Sequence, residues 1–212
     1  MSGEAGGSGR EGLDVTVALA ASSVFGLLSV LVHWHRTRAV DRRSWRKRRF
    51  GRTSRRSRRR VERVSRVLSP LAFGAAGGAA AALLYEDGRH EAAEAMLATA
   101  ALGALGDHVL KAPFRRRRPP ESWFGNGSDS SFPSGHSMAA CAVPAVLGYT
   151  LFRERMVPPA GGVAMAVIPP VIVGGARLFV RKHWATDVVA GWAAGLAAAG
   201  VAAAWYEVRR GA

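Results

Sequence analysis

Four stretches of this 212-residue chain run without a single charged side chain for about as long as a helix needs to cross a bilayer. They are Val15–Val32 (18 residues), Val67–Tyr85 (19), Val157–Ala176 (20) and Val188–Tyr206 (19). The hydrocarbon core asks for ~18–20 apolar residues per helix. It also forbids unpaired backbone amides, so such segments are read as helices. Two weaker stretches lie between them. Ser137–Phe152 has 16 uncharged residues and extends backwards through Gly135 and His136; Ala92–Leu110 is interrupted by Glu94, Asp107 and His108. In a soluble domain both would be buried helices. A chain this small cannot bury four further helices that are apolar all round, so the six are read together as transmembrane helices. The expected fold is all-α: a polytopic bundle of six spans.

The flanks agree. Trp34, Trp184, Trp205, Tyr85 and Tyr206 fall at or near the ends of runs, where amphipathic rings favour the interface. Gly74, Gly77, Gly78, Gly191 and Gly195 permit close helix packing. Pro158 and Pro159 mark the start of the fifth span, and Pro169–Pro170 predict a kink within it.

The net charge of +15 is local. Between Arg36 and Arg66 there are 16 Lys+Arg against two acids, Asp41 and Glu62, while the remaining residues carry only +1. A generally basic, nucleic-acid-binding surface is thereby excluded, and no specific nucleic acid partner is expected. Lone Cys141 excludes a disulfide within the chain and any cysteine-based zinc site. The chain divides into a disordered Gly/Ser/Glu-rich tail (1–12), which lacks the features of a signal peptide, and a first transmembrane helix (13–35). An Arg-rich loop (36–66) follows, expected to be mostly disordered or to lie on anionic lipid headgroups. A helical core (67–207) and a short C-terminal tail (208–212) complete it.

If six helices alternate direction, the loops 33–66, 111–134 and 177–186 share one face, and the densest polar clusters fall there. Lys111 is followed by Arg115-Arg116-Arg117-Arg118-Pro119-Pro120. Such runs usually anchor at the membrane surface, and Arg115, Arg116 and Arg117 are assigned to headgroups, with the alternative that one of them, held by the loop prolines, assists an anion site. Asp107, four residues before Lys111, is read as its structural partner; His33, His35 and His90 show no partner pattern. Pro133-Ser134-Gly135-His136 opens an apolar helix, whose unpaired amides make an anion site with His136 at its mouth. Arg177, His183 and Asp187 lie between the fifth and sixth helices. His183 and Asp187 are four apart, so the carboxylate can bond one ring nitrogen and leave the other as a nucleophile.

Lys111-x6-Arg118-Pro119, Pro133-Ser134-Gly135-His136 and Arg177-x5-His183-x3-Asp187, in this order and after these helices, resemble the three motifs of the type 2 phosphatidic acid phosphatase (PAP2) superfamily. The resemblance covers roughly residues 67–207. It implies that His183 attacks phosphorus, Asp187 orients it, and His136 protonates the leaving group. Lys111, Arg118, Arg177, the Ser134 hydroxyl and the Gly135 amide would bind the phosphate oxygens, with no metal or cofactor. The third motif usually begins Ser-Arg; here Ala176 precedes Arg177, removing one hydroxyl but no charge.

The implied function is a plasma-membrane phosphatase acting on a lipid phosphate: phosphatidic acid, a polyprenyl phosphate or diphosphate, or a phosphorylated polyprenyl sugar. Bacterial members are expected to face outward. Here, however, 24 Lys+Arg lie on the motif side against six on the other, which predicts a cytoplasmic site. A vanadate-dependent haloperoxidase-like enzyme and a silent anchor binding anionic lipid or nucleic acid through the Arg-rich loop are the competing readings. The oligomeric state is left open.

Overall fold

Serine and proline set the helix boundaries. The Ser69 hydroxyl accepts from the Ala72 amide at 3.2 Å with Pro70 in the first helical turn, and Pro158 precedes a helix opened by Pro159. The structure, a computed structural model, describes residues 8–47, 54–120 and 130–211. Within them lie eight helices and no strand: α1 (Ser8–His33), α2 (Arg38–Lys47), α3 (Arg55–Val67), α4 (Pro70–Glu86), α5 (His90–Lys111), α6 (Gly135–Arg153), α7 (Pro159–Phe179) and α8 (Ala185–Gly211).

The six long helices α1 and α4–α8 stand where the sequence places spans. By length and apolarity, four described helices can cross a bilayer (α1, α6, α7 and α8). The α3–α4 pair, bent by 42°, would make a fifth. Helix α5 carries too many polar residues to be counted on those grounds, so the expected six stands at four or five. Two boundaries also shift. Helix α1 already begins at Ser8, inside the expected tail, and α8 continues to Gly211 through the expected C-terminal tail. Where it is described, at 36–47 and 54–66, the Arg-rich segment is mainly helical, as α2 and α3, rather than disordered. Pro169 and Pro170 lie inside α7 without ending it.

The packing is that of a membrane bundle, with small residues inside and bulky ones outside. Ala95, Ala139, Ala140, Ala142 and Ala190 are fully buried, whereas Leu71, Leu83, Val109, Val171 and Val201 are exposed. Helix α6 is the central element, packed by α8, α7, α5 and α4. Its contact with α8 is at backbone distance. A Cβ on Gly191 would stand 2.5 Å from the Ser134 carbonyl oxygen, and one on Gly195 2.6 Å from that of Met138.

The far end of the bundle is closed by polar groups. Glu154 pairs with Arg89 at 2.6 Å and accepts from the Tyr206 hydroxyl; Arg153 pairs with Glu207 at 2.6 Å. These ties gather the α4–α5 turn, the α6–α7 turn and the end of α8 on one side. The ends of α1, α5 and α7 and the starts of α6 and α8 gather on the other.

Candidate active site

That second end holds all three motifs. Trp184 is the last non-helical residue before α8, and Asp187, in the first turn, reaches back to accept from its backbone amide at 2.8 Å (Oδ2). This is half of a capping box, and it fixes the carboxylate. The Asp187 carbonyl in turn accepts from the Ser134 amide at 3.0 Å, tying the start of α6 to that of α8.

His183 sits just ahead of this turn, 3% exposed. Its Nδ1 lies 2.8 Å from the Ser131 carbonyl oxygen and 3.6 Å from Asp187 Oδ2. A carbonyl only accepts, so Nδ1 carries the hydrogen and the lone pair is on Nε2. The sequence expectation gave the orienting bond to Asp187. Here the shorter one goes to Ser131, with Asp187 behind it. Arg118 Nη1 stands 3.5 Å from Nε2 and donates to the Lys182 carbonyl at 3.0 Å. Burial, then the charges of Arg177 and Arg118, hold the His183 imidazole well below its usual 6.5; the Ser131 bond opposes them only in part. The ring is therefore neutral at physiological pH.

Arg177, in the last turn of α7, is buried and donates to Ser65 Oγ of α3 at 2.5 Å. Lys111 closes α5, half-buried, and its charge reaches both His183 and His136. His136, half-buried in the first turn of α6, lies within electrostatic reach of Arg177, His183, Lys111 and Lys182. The two histidines and three cations singled out in the sequence thus converge. Ser134 does not present its hydroxyl as expected: it is fully buried and caps α6, accepting from the Ser137 hydroxyl at 3.0 Å and the Ser137 amide at 3.5 Å. Gly135 is likewise buried at the start of that helix. The side chains of Asp107 and His108 lie outside the described residues. Among the described residues no three His, Cys, Asp or Glu side chains converge as metal ligands do.

Sequence reasoning missed a second ring of residues. Arg116, assigned to headgroups, is turned inward. One end of its guanidinium pairs with Asp187 Oδ1 and donates to Thr186 Oγ1 at 2.8 Å. The other pairs with Asp41 Oδ2 and donates to Thr37 Oγ1 at 3.0 Å. Asp41, from α2, also accepts from the Thr186 amide at 3.2 Å and is 1% exposed. Helix α3 docks in the same way, through Ser65 on Arg177 and Glu62 on Lys182 at 3.5 Å. Burial and the Arg177 charge push Lys182 below its usual range, with Glu62 opposing. One signal was present in the sequence: Asp41 and Glu62 are the two acids of the Arg-rich segment, and both are buried docking points.

Comparison with known proteins matches the architecture and the region that holds the motifs. The solved structure of a transmembrane PAP2 type phosphatidylglycerolphosphate phosphatase from Bacillus subtilis superimposes with a TM-score of 0.71 at 21% identity, over 87% of this chain and 93% of that one. It shares the fold. A curated relative, phosphatidylglycerophosphatase B of Bacillus subtilis (strain 168), is 36% identical over 100 residues. That stretch is 43% of this chain and only 47% of the relative, so the chain matches about half the relative's length. The family model of the PAP2 superfamily matches residues 92–210, which hold Lys111, Arg118, His136, Arg177, His183 and Asp187 but not α2 or α3. With that match over more than half its length, this multi-pass membrane protein belongs to the PAP2 superfamily.

Proposed function

We propose that the protein is a lipid phosphate phosphatase working through a phosphohistidine intermediate. The observation that carries this reading is the state of His183: buried and neutral, its Nδ1 held by Ser131 and its Nε2 facing the Arg118 guanidinium. In the first step Nε2 donates its electron pair to phosphorus. The bond from phosphorus to the lipid oxygen breaks, and the departing oxygen takes a proton from His136. In the second step a water oxygen attacks phosphorus while His136 takes its proton, and the phosphorus–nitrogen pair returns to Nε2. Lys111, Arg118, Arg177 and the amides at the start of α6 neutralise the equatorial oxygens, which is most of what phosphoryl transfer requires. Ser134 serves by shaping that helix start.

The substrate is an amphiphile whose phosphate lies at headgroup level: phosphatidic acid, a polyprenyl phosphate or diphosphate, a phosphorylated polyprenyl sugar, or the phosphatidylglycerophosphate named for the relatives. The charge asymmetry supports a cytoplasmic site in the plasma membrane, and the exposed arginines of α2 and α3 would meet anionic headgroups there. Phosphate release by the purified protein, in chelator, across a panel of lipid phosphates is the test. Full activity is expected, and none for His183→Ala. A chelator-abolished activity would overturn the mechanism. Peroxidase activity with vanadate would favour the haloperoxidase reading, and unchanged release by His183→Ala the silent anchor.

A further inference from the structure

A cavity of about 280 Å³ lies between the α1–α2 turn and the segment 114–118, with Trp184, the neighbour of His183, in its lining. Its charged lining falls into two groups. Arg116 is committed to Asp41 and Asp187, and Arg118 to the Lys182 carbonyl beside His183. Arg38, Arg42, Arg115 and Arg117 are exposed and form no ion pair with the described residues. They are joined by His35 and the Trp184 ring, while the cavity's one acid, Asp41, is fully occupied by Arg116 and Thr186. A protein gains nothing structural by gathering four guanidinium groups around one opening, because like charges repel. An anion placed there relieves the repulsion and accepts charge-assisted hydrogen bonds. The volume is just below that of pockets for drug-sized ligands, ~300–1,000 Å³, so it suits one small charged group.

Arg118 joins this cavity to the reaction. It lines the opening, and its Nη1 stands 3.5 Å from His183 Nε2. An anion in the cavity and a phosphoryl group at Nε2 would be neighbours across a single guanidinium. We infer that the cavity is a second anion site for the substrate headgroup, so that the enzyme selects lipids carrying a second phosphate close to the one it removes. This rests on the lipid phosphatase reading above and narrows its substrate class. Both a diphosphate and a phosphodiester joined to a terminal phosphomonoester through a short polyol meet the requirement; phosphatidic acid does not.

The test uses the full-length protein in neutral detergent micelles, with three substrates: phosphatidic acid, a polyprenyl diphosphate, and a phosphatidyl lipid with a phosphorylated glycerol headgroup. The wild type is expected to favour at least one of the two-phosphate lipids over phosphatidic acid in kcat/KM. The triple variant Arg38→Gln/Arg42→Gln/Arg115→Gln should lower kcat/KM for the favoured lipid by about tenfold or more beyond any loss on phosphatidic acid, chiefly through KM. This is a ratio within one preparation, so partial misfolding cancels. Adding an anionic one-phosphate lipid to the micelles separates substrate from bulk lipid. If it alone restores or abolishes activity equally on all substrates, the cavity serves bulk lipid and the inference is overturned. Equal losses on all three substrates, or a wild type that does not discriminate, overturn it as well. A wild type that releases phosphate from none of them fails the phosphatase reading instead.

Discussion

Asp41 and Asp187 grip the two ends of one guanidinium, that of Arg116. Asp187 backs the nucleophile; Asp41 belongs to a basic helix outside the matched family region. The Arg-rich segment is therefore fastened to the catalytic turn by a buried charge, and changes in α2 reach that turn through Arg116 and through the Asp41 bonds to Thr186.

Asp41→Asn removes one charge from this clamp while keeping its shape. We expect kcat to fall about tenfold with KM little changed, because the Asp41 carboxylate is committed to Arg116 and Thr186 and acts through Asp187. Arg116→Ala leaves two buried carboxylates facing each other and should cost about 3–5 kcal/mol. Arg116→Lys should not restore activity, since an ammonium cannot fork between two partners. Steady-state kinetics and thermal melting in detergent check all three. A pure KM effect for Asp41→Asn would contradict the positioning role.

The depressed imidazole of His183 predicts the acid limb of the pH profile. The ring stays neutral below 6.5, so the acid limb it sets in kcat/KM should lie well under that value. Arg118→Gln removes one of the depressing charges, and that limb should move upward. Stability follows the same group. The unfolded chain takes up a proton near 6.5 and the folded one does not, so the His183 contribution is complete above 6.5. It is lost as the pH falls from there toward the lower folded value. His183→Asn should flatten this part of the melting-against-pH curve.

Gly191 stands where α8 crosses the start of α6. A methyl group there meets the Ser134 carbonyl at 2.5 Å and Ser137 Cβ at 2.9 Å, so the helices have to separate. Gly191→Ala should cost about 1–3 kcal/mol and lower activity as well, since the same contact sets the helix start beside His136. Gly78, with nothing nearby, is the control: Gly78→Ala should be neutral or mildly stabilising. Melting temperatures of the two variants settle the comparison.

Ser57 is exposed on α3, and native Cys141 is buried, so a thiol at position 57 can be labelled without background. With a cytoplasmic site, Ser57→Cys should react with an impermeant maleimide only after the cells are opened. Labelling in intact cells would place the site outside.

Membrane helices and catalytic motifs were legible because each writes itself locally. An uncharged run announces a span, and Lys111-x6-Arg118-Pro119 or His183-x3-Asp187 keeps its spacing whatever surrounds it. The dockings of α2 and α3 were not. Charge repulsion along 36–66 argues for an open segment, and only long-range partners reverse it: Arg116 for Asp41, Arg177 for Ser65, Lys182 for Glu62. Arg116 was misread for the same reason. Four consecutive arginines look alike in sequence, and only the fold decides which turns inward. Ser131 was equally hidden, since a backbone carbonyl leaves no mark in side-chain spelling.

The Ser134 amide bonded to the Asp187 carbonyl, with Gly191 beneath it, has a mechanical consequence. The helix start bearing the proposed acid and the turn carrying the nucleophile into α8 thus meet backbone to backbone. The bond and the close crossing oppose sliding of one start past the other when the surrounding lipid thickens, thins or shears. The gap a phosphoryl group has to bridge is thereby set by contacts within the protein rather than by the bilayer around it.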